Sequence, residues 1–240
     1  PAVLSDEAYT MAEDYINYYR TAAGLGKITL DSALNESASY GALVLAMNHN
    51  ALTHYPKKPA DMSDEDYEKA SAATATSNIS REYGSTQTDN ILRSAVAGQV
   101  HDGNISNIST VGHRRWLLNP NVKTMGIGAA NYESDFYTDV RVFGQGVEQE
   151  KADDYDFIAW PASGANLSNV FPVDTPWSVT LNPDLYETPV TYEDNAVNVS
   201  VELQSLRYGT TWVFDNSTGE NVSSEKNYFS SNNRNYGVNK

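Results

Sequence analysis

Cysteine is absent from this 240-residue chain. No disulfide, thiolate nucleophile or cysteine metal site can therefore enter its chemistry. Cations are also scarce: 16 Lys and Arg stand against 31 Asp and Glu, a formal net charge of −15. A chain so acidic has no surface for neutralising a run of phosphates, and an anionic membrane would repel it. Both the first 150 residues and the remainder are net acidic, so neither half waits as a basic partner for the other. No passage approaches the ~18 apolar residues that a membrane-spanning helix needs. The longest, Gly41 to Met47, is too short and its side chains too small. Only four histidines exist: His49, His54, His101 and His113. His49 and His54 lie five apart, which turns them about 140° around a helix axis. No Glu follows His49, so a zincin motif is excluded. No G-x-S-x-G elbow, Walker loop or G-x-G-x-x-G turn is present; Gly126-Ile127-Gly128 lacks the third glycine.

What is present is core-forming. Hydrophobic residues make up 40%, and 16 Tyr, 6 Phe and 4 Trp supply large apolar area. Ala8, Met11, Ala12, Tyr15, Tyr19 and Ala22 follow helical spacing, with Asp6 and Glu7 in the first turn and Gly24 and Gly26 at the end. Asp31 or Ser32 caps a second helix reaching about His49, with Leu34, Ala38, Gly41, Ala42 and Leu45 on its apolar face. Asp61 to Lys69 reads as a charged surface element. Further helices fit Asp89 to Val100 and Thr110 to Leu118, the last stopped by Asn119-Pro120. Strands fit Thr124 to Ala130 and Asp139 to Val147. Helices followed by an antiparallel pair predict an α+β domain.

Glu148 to Asp156 reads as a solvated charged linker. Beyond it the period is two: Val197, Val199, Val201 and Leu203 alternate with polar residues, and Trp177 to Leu181 and Thr211 to Phe214 are strand candidates. The chain thus divides into residues 1–148 and a small all-β, sandwich-like domain over 149–240, with Trp160, Trp177 and Trp212 as its expected core. Asn221 to Lys240 reads as a loop, or as a chain end that cuts off a last strand. The opening at Pro1 without Met fits a trimmed chain or a mature form after signal removal.

The informative passage is VGHRRWLLNP, Val111 to Pro120, followed by GIG at Gly126 to Gly128. With YYRTAAGLGKITLDSALNESA from Tyr18 and NALTH at Asn50 to His54, it resembles the CAP superfamily, the cysteine-rich secretory, antigen 5 and pathogenesis-related 1 proteins, in a bacterial, cysteine-free branch. The resemblance covers about residues 5 to 147. It implies an α-β-α sandwich with a cleft holding two histidines and two acids. It carries the histidines onto His54 and His113 and one acid onto Asp102, through Gln99 to Asp102 in place of the family's W-x-x-E. The family's G-E-N-[IL] segment reads Thr76-Ser77-Asn78-Ile79, so Ser77 replaces the second acid; Glu82 lies just downstream.

Two neutral imidazoles and one carboxylate suit a weakly held Zn²⁺ completed by water. On this reading His54, His113 and Asp102 are metal candidates, no catalytic residue is assigned beyond them, and a Glu restored at position 77 should tighten the metal. His101 is expected on the surface and His49 at a helix end; Arg114 and Arg115 are expected to pair with carboxylates and stack on Trp116 or a Tyr. The resemblance implies a secreted or cell-surface protein that binds a small or lipid-like ligand, or an extracellular partner, through this cleft. Two alternatives stay open: a metal-dependent hydrolase using the same residues, and a cell-wall or glycan adhesion module acting through the β-rich half.

Overall fold

The computed structural model describes residues 3–84, 88–152, 155–164, 166–186, 199–218 and 228–231. Helix α1 spans Asp6–Ala22, and Ser5 accepts the Ala8 N–H at its start. Strand β1 is Thr29–Leu30; α2, Ser32–Met47, is capped by the Asp31 carboxylate on Leu34 N–H at 2.9 Å. Then come α3 (Asp64–Thr74), β2 (Ser77–Tyr83), α4 (Thr88–His101), α5 (Gly112–Leu117), β3 (Thr124–Tyr132) and β4 (Asp135–Arg141). One sheet has the order β1-β3-β4-β2, with β1 parallel to β3 and the other pairings antiparallel.

Alternation along β3 and β4 sends side chains to two helical layers. Met125, Ile127, Val140 and Val142 pack with Ala8, Ala12 and Ile16 of α1, Leu92 and Val96 of α4, and Leu117 of α5. On the opposite face Ile79 and Tyr137 pack with Leu45 of α2, whose Val44 in turn meets Ala70 of α3. The result is the α-β-α sandwich that the resemblance implies.

The GIG segment has a packing reason. A Cβ at Gly126 would overlap the backbone of Leu34, and one at Gly128 the backbone of Ala38 and Ser39. Helix α2 therefore lies directly on β3, close enough for Asn35 Oδ1 to accept the Ile127 N–H at 2.9 Å. Ala38 and Ala42 keep the helix side of this contact thin.

Three expectations change. The strand expected to run to Val147 ends at Arg141, and Gly144 and Gly146, both at φ 87°, turn the chain back. Strand β2, SNISREY, went unread because its alternation is mostly polar. The charged run from Glu148 does not start as free linker: Lys123 N–H donates to Glu148 O, Glu150 N–H to Asn121 O, and Val122 bridges Gln149.

Past residue 148, the described residues form strands only: β5 (Phe157–Trp160) pairs with β6 (Ser178–Leu181), and β7 (Ser200–Gln204) with β8 (Thr211–Asp215). The expected strand start at Val197 and most of Asn221–Lys240 lie outside the described residues. Trp160 is not the core of a separate sandwich. It is 2% exposed in the cluster of α1 and β3, together with Ile158 and Val170, and its ring lies 6.1 Å from that of Tyr19. Trp177, by contrast, is 61% exposed, so the tryptophans do not share one core.

Two measurements check this packing. Gly128→Ala should destabilise by about 1–3 kcal/mol or more through overpacking. Gly98→Ala, in α4 with open space around it, should stabilise by up to about 1 kcal/mol; equal effects in urea unfolding would refute the close approach. A division near residue 148 is a proposal about folding units, and it is tested by comparing chains ending at 148 and 182. Loss of the Trp160 anchor should cost the shorter one roughly 3–5 kcal/mol; equal stability would place the boundary at 148.

Candidate functional site

The site grows from the end of α4 and the start of α5. Asp102 follows directly on α4 and adopts φ 47°, a left-handed conformation uncommon without glycine. Val111, before α5, sits at φ 41°, costly for a β-branched residue, and makes no side-chain cap. Asp102 supplies that cap from across the loop. Its Oδ2 accepts the N–H groups of His113 at 2.9 Å and Arg114 at 3.3 Å. The unfavourable setting at the end of α4 is thus offset by donors at the start of α5.

The other oxygen, Oδ1, meets His113 Nδ1 at 2.9 Å. A carboxylate oxygen only accepts, so Nδ1 carries the hydrogen and the neutral ring keeps its lone pair on Nε2. The Asp102 side chain is 1% exposed and that of His113 22%, so a buried acid holds a partly open imidazole. Asn107 Nδ2 stands 3.4 Å from the same Nδ1. From the sheet, Asn78 donates to the His113 carbonyl at 2.9 Å.

His54 is held in the same manner by a different oxygen. Its Nδ1 lies 2.8 Å from the Thr74 carbonyl, and Thr74 Oγ1 donates back to the His54 carbonyl at 2.9 Å. A carbonyl only accepts, so this ring too is Nδ1–H with Nε2 as its lone-pair nitrogen. Thr74 and Asn78, which hold the two histidines, lie four residues apart across the α3–β2 junction.

Ser77 belongs to the same junction but faces inward. It is 3% exposed, and its Oγ lies 2.6 Å from Asp139 Oδ1 and 2.8 Å from the Ala73 carbonyl. A Glu at 77 would therefore meet a second buried carboxyl, and the expectation that it would tighten a metal gives way to one of destabilisation. Burial pushes the Asp139 carboxyl up to about 7, against smaller opposing contributions from the Ser77 hydrogen bond and Arg141. Asp139 and Asn78 carried no separate signal in the sequence beyond Asn78's place in the motif.

Arg114 does not pair with carboxylate side chains as expected. Its guanidinium is buried and donates to the carbonyls of Val100 at 2.6 Å, His101 at 2.6 Å and Pro176 at 2.9 Å, and to Ser178 Oγ at 2.9 Å. Burial lowers it to about 10. Glu82 accepts from Ser94 Oγ at 2.8 Å, on the α4 side. His101 Nε2 lies 3.6 Å from Asp174, and His49 stacks on Tyr132 with centroids 3.7 Å apart. Trp116 stacks on Phe143 at 4.3 Å.

Among the described residues no three His, Cys, Asp or Glu side chains form a group that could hold a metal ion. Both oxygens of Asp102 are committed to α5 and His113. As placed, Asp102 orients an imidazole; it does not complete a three-residue ligand shell.

Asp102→Ala should leave buried donors unpaired and cost about 1–3 kcal/mol. It should also release the His113 ring from its Nδ1–H form, read from ring nitrogen NMR. An unchanged ring signal would refute the orienting role.

A family model described as the cysteine-rich secretory protein family, CAP, matches residues 13–145. Solved structures similar to the chain include NaASP2 with Zn²⁺, at 12% identity and TM-score 0.40, covering 57% of this chain and 80% of that one. MpPR-1i shows 15% identity and TM-score 0.38, covering 68% and 99%. The Schistosoma mansoni venom allergen-like protein 4 shows 10% identity and TM-score 0.35, covering 69% and 99%. No curated protein matches the chain in sequence. No helix among the described residues is long and apolar enough to cross a membrane. The family model spans more than half of the 240 residues and takes in Asp102, His113 and His54 with the layers that hold them, and on that match the chain belongs to the CAP family.

Proposed function

We propose that this CAP chain works outside the cell as a binding protein, and that its cleft offers the Nε2 atoms of His54 and His113 to a small ligand or partner. The observation that carries this reading is the matched state of the two rings. Each gives its Nδ1–H to an oxygen that can only accept, the Thr74 carbonyl or the Asp102 carboxylate. Each is thereby left with Nε2 as a lone-pair donor. Oriented imidazoles of this type take a hydrogen-bond donor or a metal ion. A bound Zn²⁺ would supply a Lewis-acidic centre there, with Asp102 orienting His113 from behind.

A hydrolase is the second reading, and the Asp102–His113 pair is what favours it. A carboxylate that fixes Nδ1–H leaves Nε2 able to take a proton from water. No hydroxyl nucleophile hydrogen-bonds that Nε2 among the described residues, so the binding reading comes first. The glycan-adhesion reading has the 61% exposed Trp177 in its favour, since exposed aromatic rings suit sugar faces.

Calorimetry with Zn²⁺ as the probe tests the paired-imidazole reading. His54→Gln and His113→Gln should each weaken binding at least tenfold. Asp102→Asn should weaken it about 10–100-fold, the scale for losing an orienting partner. Binding should fade at acid pH, because imidazolium cannot ligate. If one histidine substitution leaves affinity unchanged, the two rings do not share a site. Catalysis would instead appear as turnover of an ester or amide substrate that Asp102→Asn suppresses without loss of fold.

A further inference from the structure

We infer that Asp139 and Ser77 form a buried proton-sharing pair that sets the α3–β2 junction, and through it the ring of His54, according to pH. The argument is a count of hydrogens. Ser77 Oγ lies within bonding distance of two oxygens, the Ala73 carbonyl at 2.8 Å and Asp139 Oδ1 at 2.6 Å. A hydroxyl has one hydrogen, and a carbonyl can only accept. Both contacts can be hydrogen bonds only when the Asp139 carboxyl is protonated and donates to Ser77, which then donates to Ala73. When Asp139 is ionised, Ser77 must turn its hydrogen to the carboxylate, and its bond to the Ala73 carbonyl is lost.

The surroundings favour the protonated chain. Asp139 is fully buried, and its Oδ2 has no hydrogen-bond partner. Helix α2 presents Gly41 to it, and any Cβ there would overlap Oδ2. Helix α3 presents Ala73, β2 presents Ser77 and the paired Ile79, and β3 presents the paired Gly128. The titratable or charged neighbours are on β4 itself: Tyr137 and Arg141, each two residues away. Arg141 is drawn toward the Ser37 hydroxyl and the Gln145 carbonyl, and it opposes the raised carboxyl only partly.

What the pair would move is the junction itself. Ala73 precedes Thr74, whose carbonyl holds the His54 ring; Ser77 precedes Asn78, which holds the His113 backbone. Loss of the Ser77–Ala73 bond loosens the last turn of α3 where that ring is anchored. The inference rests on the paired-imidazole reading only for what it regulates; the proton-sharing pair stands on its own contacts.

The test is NMR of the full chain, without ligand, from pH 5 to 9. The Asp139 side-chain carboxyl carbon should titrate near neutrality, about three units above an ordinary aspartate. The amides of residues 74–78 and the His54 ring should show a component with the same midpoint. Asp139→Asn, whose amide can still donate to Ser77, should remove that component and hold the junction in its low-pH position at every pH. Ser77→Ala should leave the carboxyl titrating, with a higher midpoint, and uncouple the junction from it.

The sign for stability follows from the raised carboxyl. The folded state holds this proton more tightly than the unfolded chain. Asp139 therefore favours folding fully below about pH 4, and that favour is lost as pH rises toward about 7. In that window the folding constant should fall by up to about tenfold per pH unit, and Asp139→Asn should flatten the slope. A carboxyl midpoint near 4, or junction amides that ignore Asp139→Asn, overturns the proposal. A failure of Zn²⁺ to bind overturns only the paired-imidazole reading, because no ligand enters this experiment.

Discussion

Two buried guanidinium groups hold the short helix α5, and the site exists because of them. Arg20 of α1, 1% exposed, donates to the carbonyls of Gly26 at 2.8 Å, Leu117 at 2.8 Å and Asn119 at 2.9 Å. Arg114, also 1% exposed, donates to the carbonyls at the end of α4 and to Pro176 and Ser178 beyond residue 148. Neither guanidinium takes a carboxylate side chain in these bonds. Carbonyl oxygens left over at helix ends and in loops, with the Ser178 hydroxyl, are the acceptors, which satisfies both sides of an otherwise costly burial. Desolvation shows in both groups, each lowered to about 10. A six-residue helix has little stability of its own. Here Arg20 fixes its end, Arg114 anchors it to α4, and Asp102 caps its start.

The sheet fixes the side that carries His54 through close contact instead of charge. Gly126 and Gly128 let α2 rest on the backbone of β3, and Gly41 admits the Asp139 carboxyl between α2 and β4. The junction from α3 to β2 then passes over that carboxyl, carrying the groups that hold His54 and His113. Buried polar groups hold both histidines, Thr74 at His54 and Asp102 and Asn78 at His113, and the left-handed backbone of Asp102 and Val111 flanks the second.

Much of this was legible in the residues. The start of α1 followed from Asp6 and Glu7 and the spacing of Ala8, Met11, Ala12 and Tyr15, and that of α2 from Asp31, because first-turn charge, capping and periodicity are local. Asp102 and His113 were picked out from motifs eleven residues apart, and the structure joins them at 2.9 Å. Ser77 was recognised as the place of a missing acid, but its inward direction was not readable, since it depends on the register of β2 against β4. Arg114 was misjudged for a related reason. In an acidic chain a carboxylate partner is the natural guess, and only the fold shows that its neighbours are carbonyls.

The sequence by itself determined the family, the helices that carry a local period, the absence of thiol chemistry and the identity of the two histidines. These rest on residue type and short-range spacing, which survive in one dimension. The tertiary structure decided which oxygen meets which ring nitrogen, that Asp139 lies beneath Ser77, and that Trp160 belongs to the core of α1 and β3. Each of those depends on contacts between residues tens of positions apart, fixed by strand register and helix docking, and no local pattern encodes them.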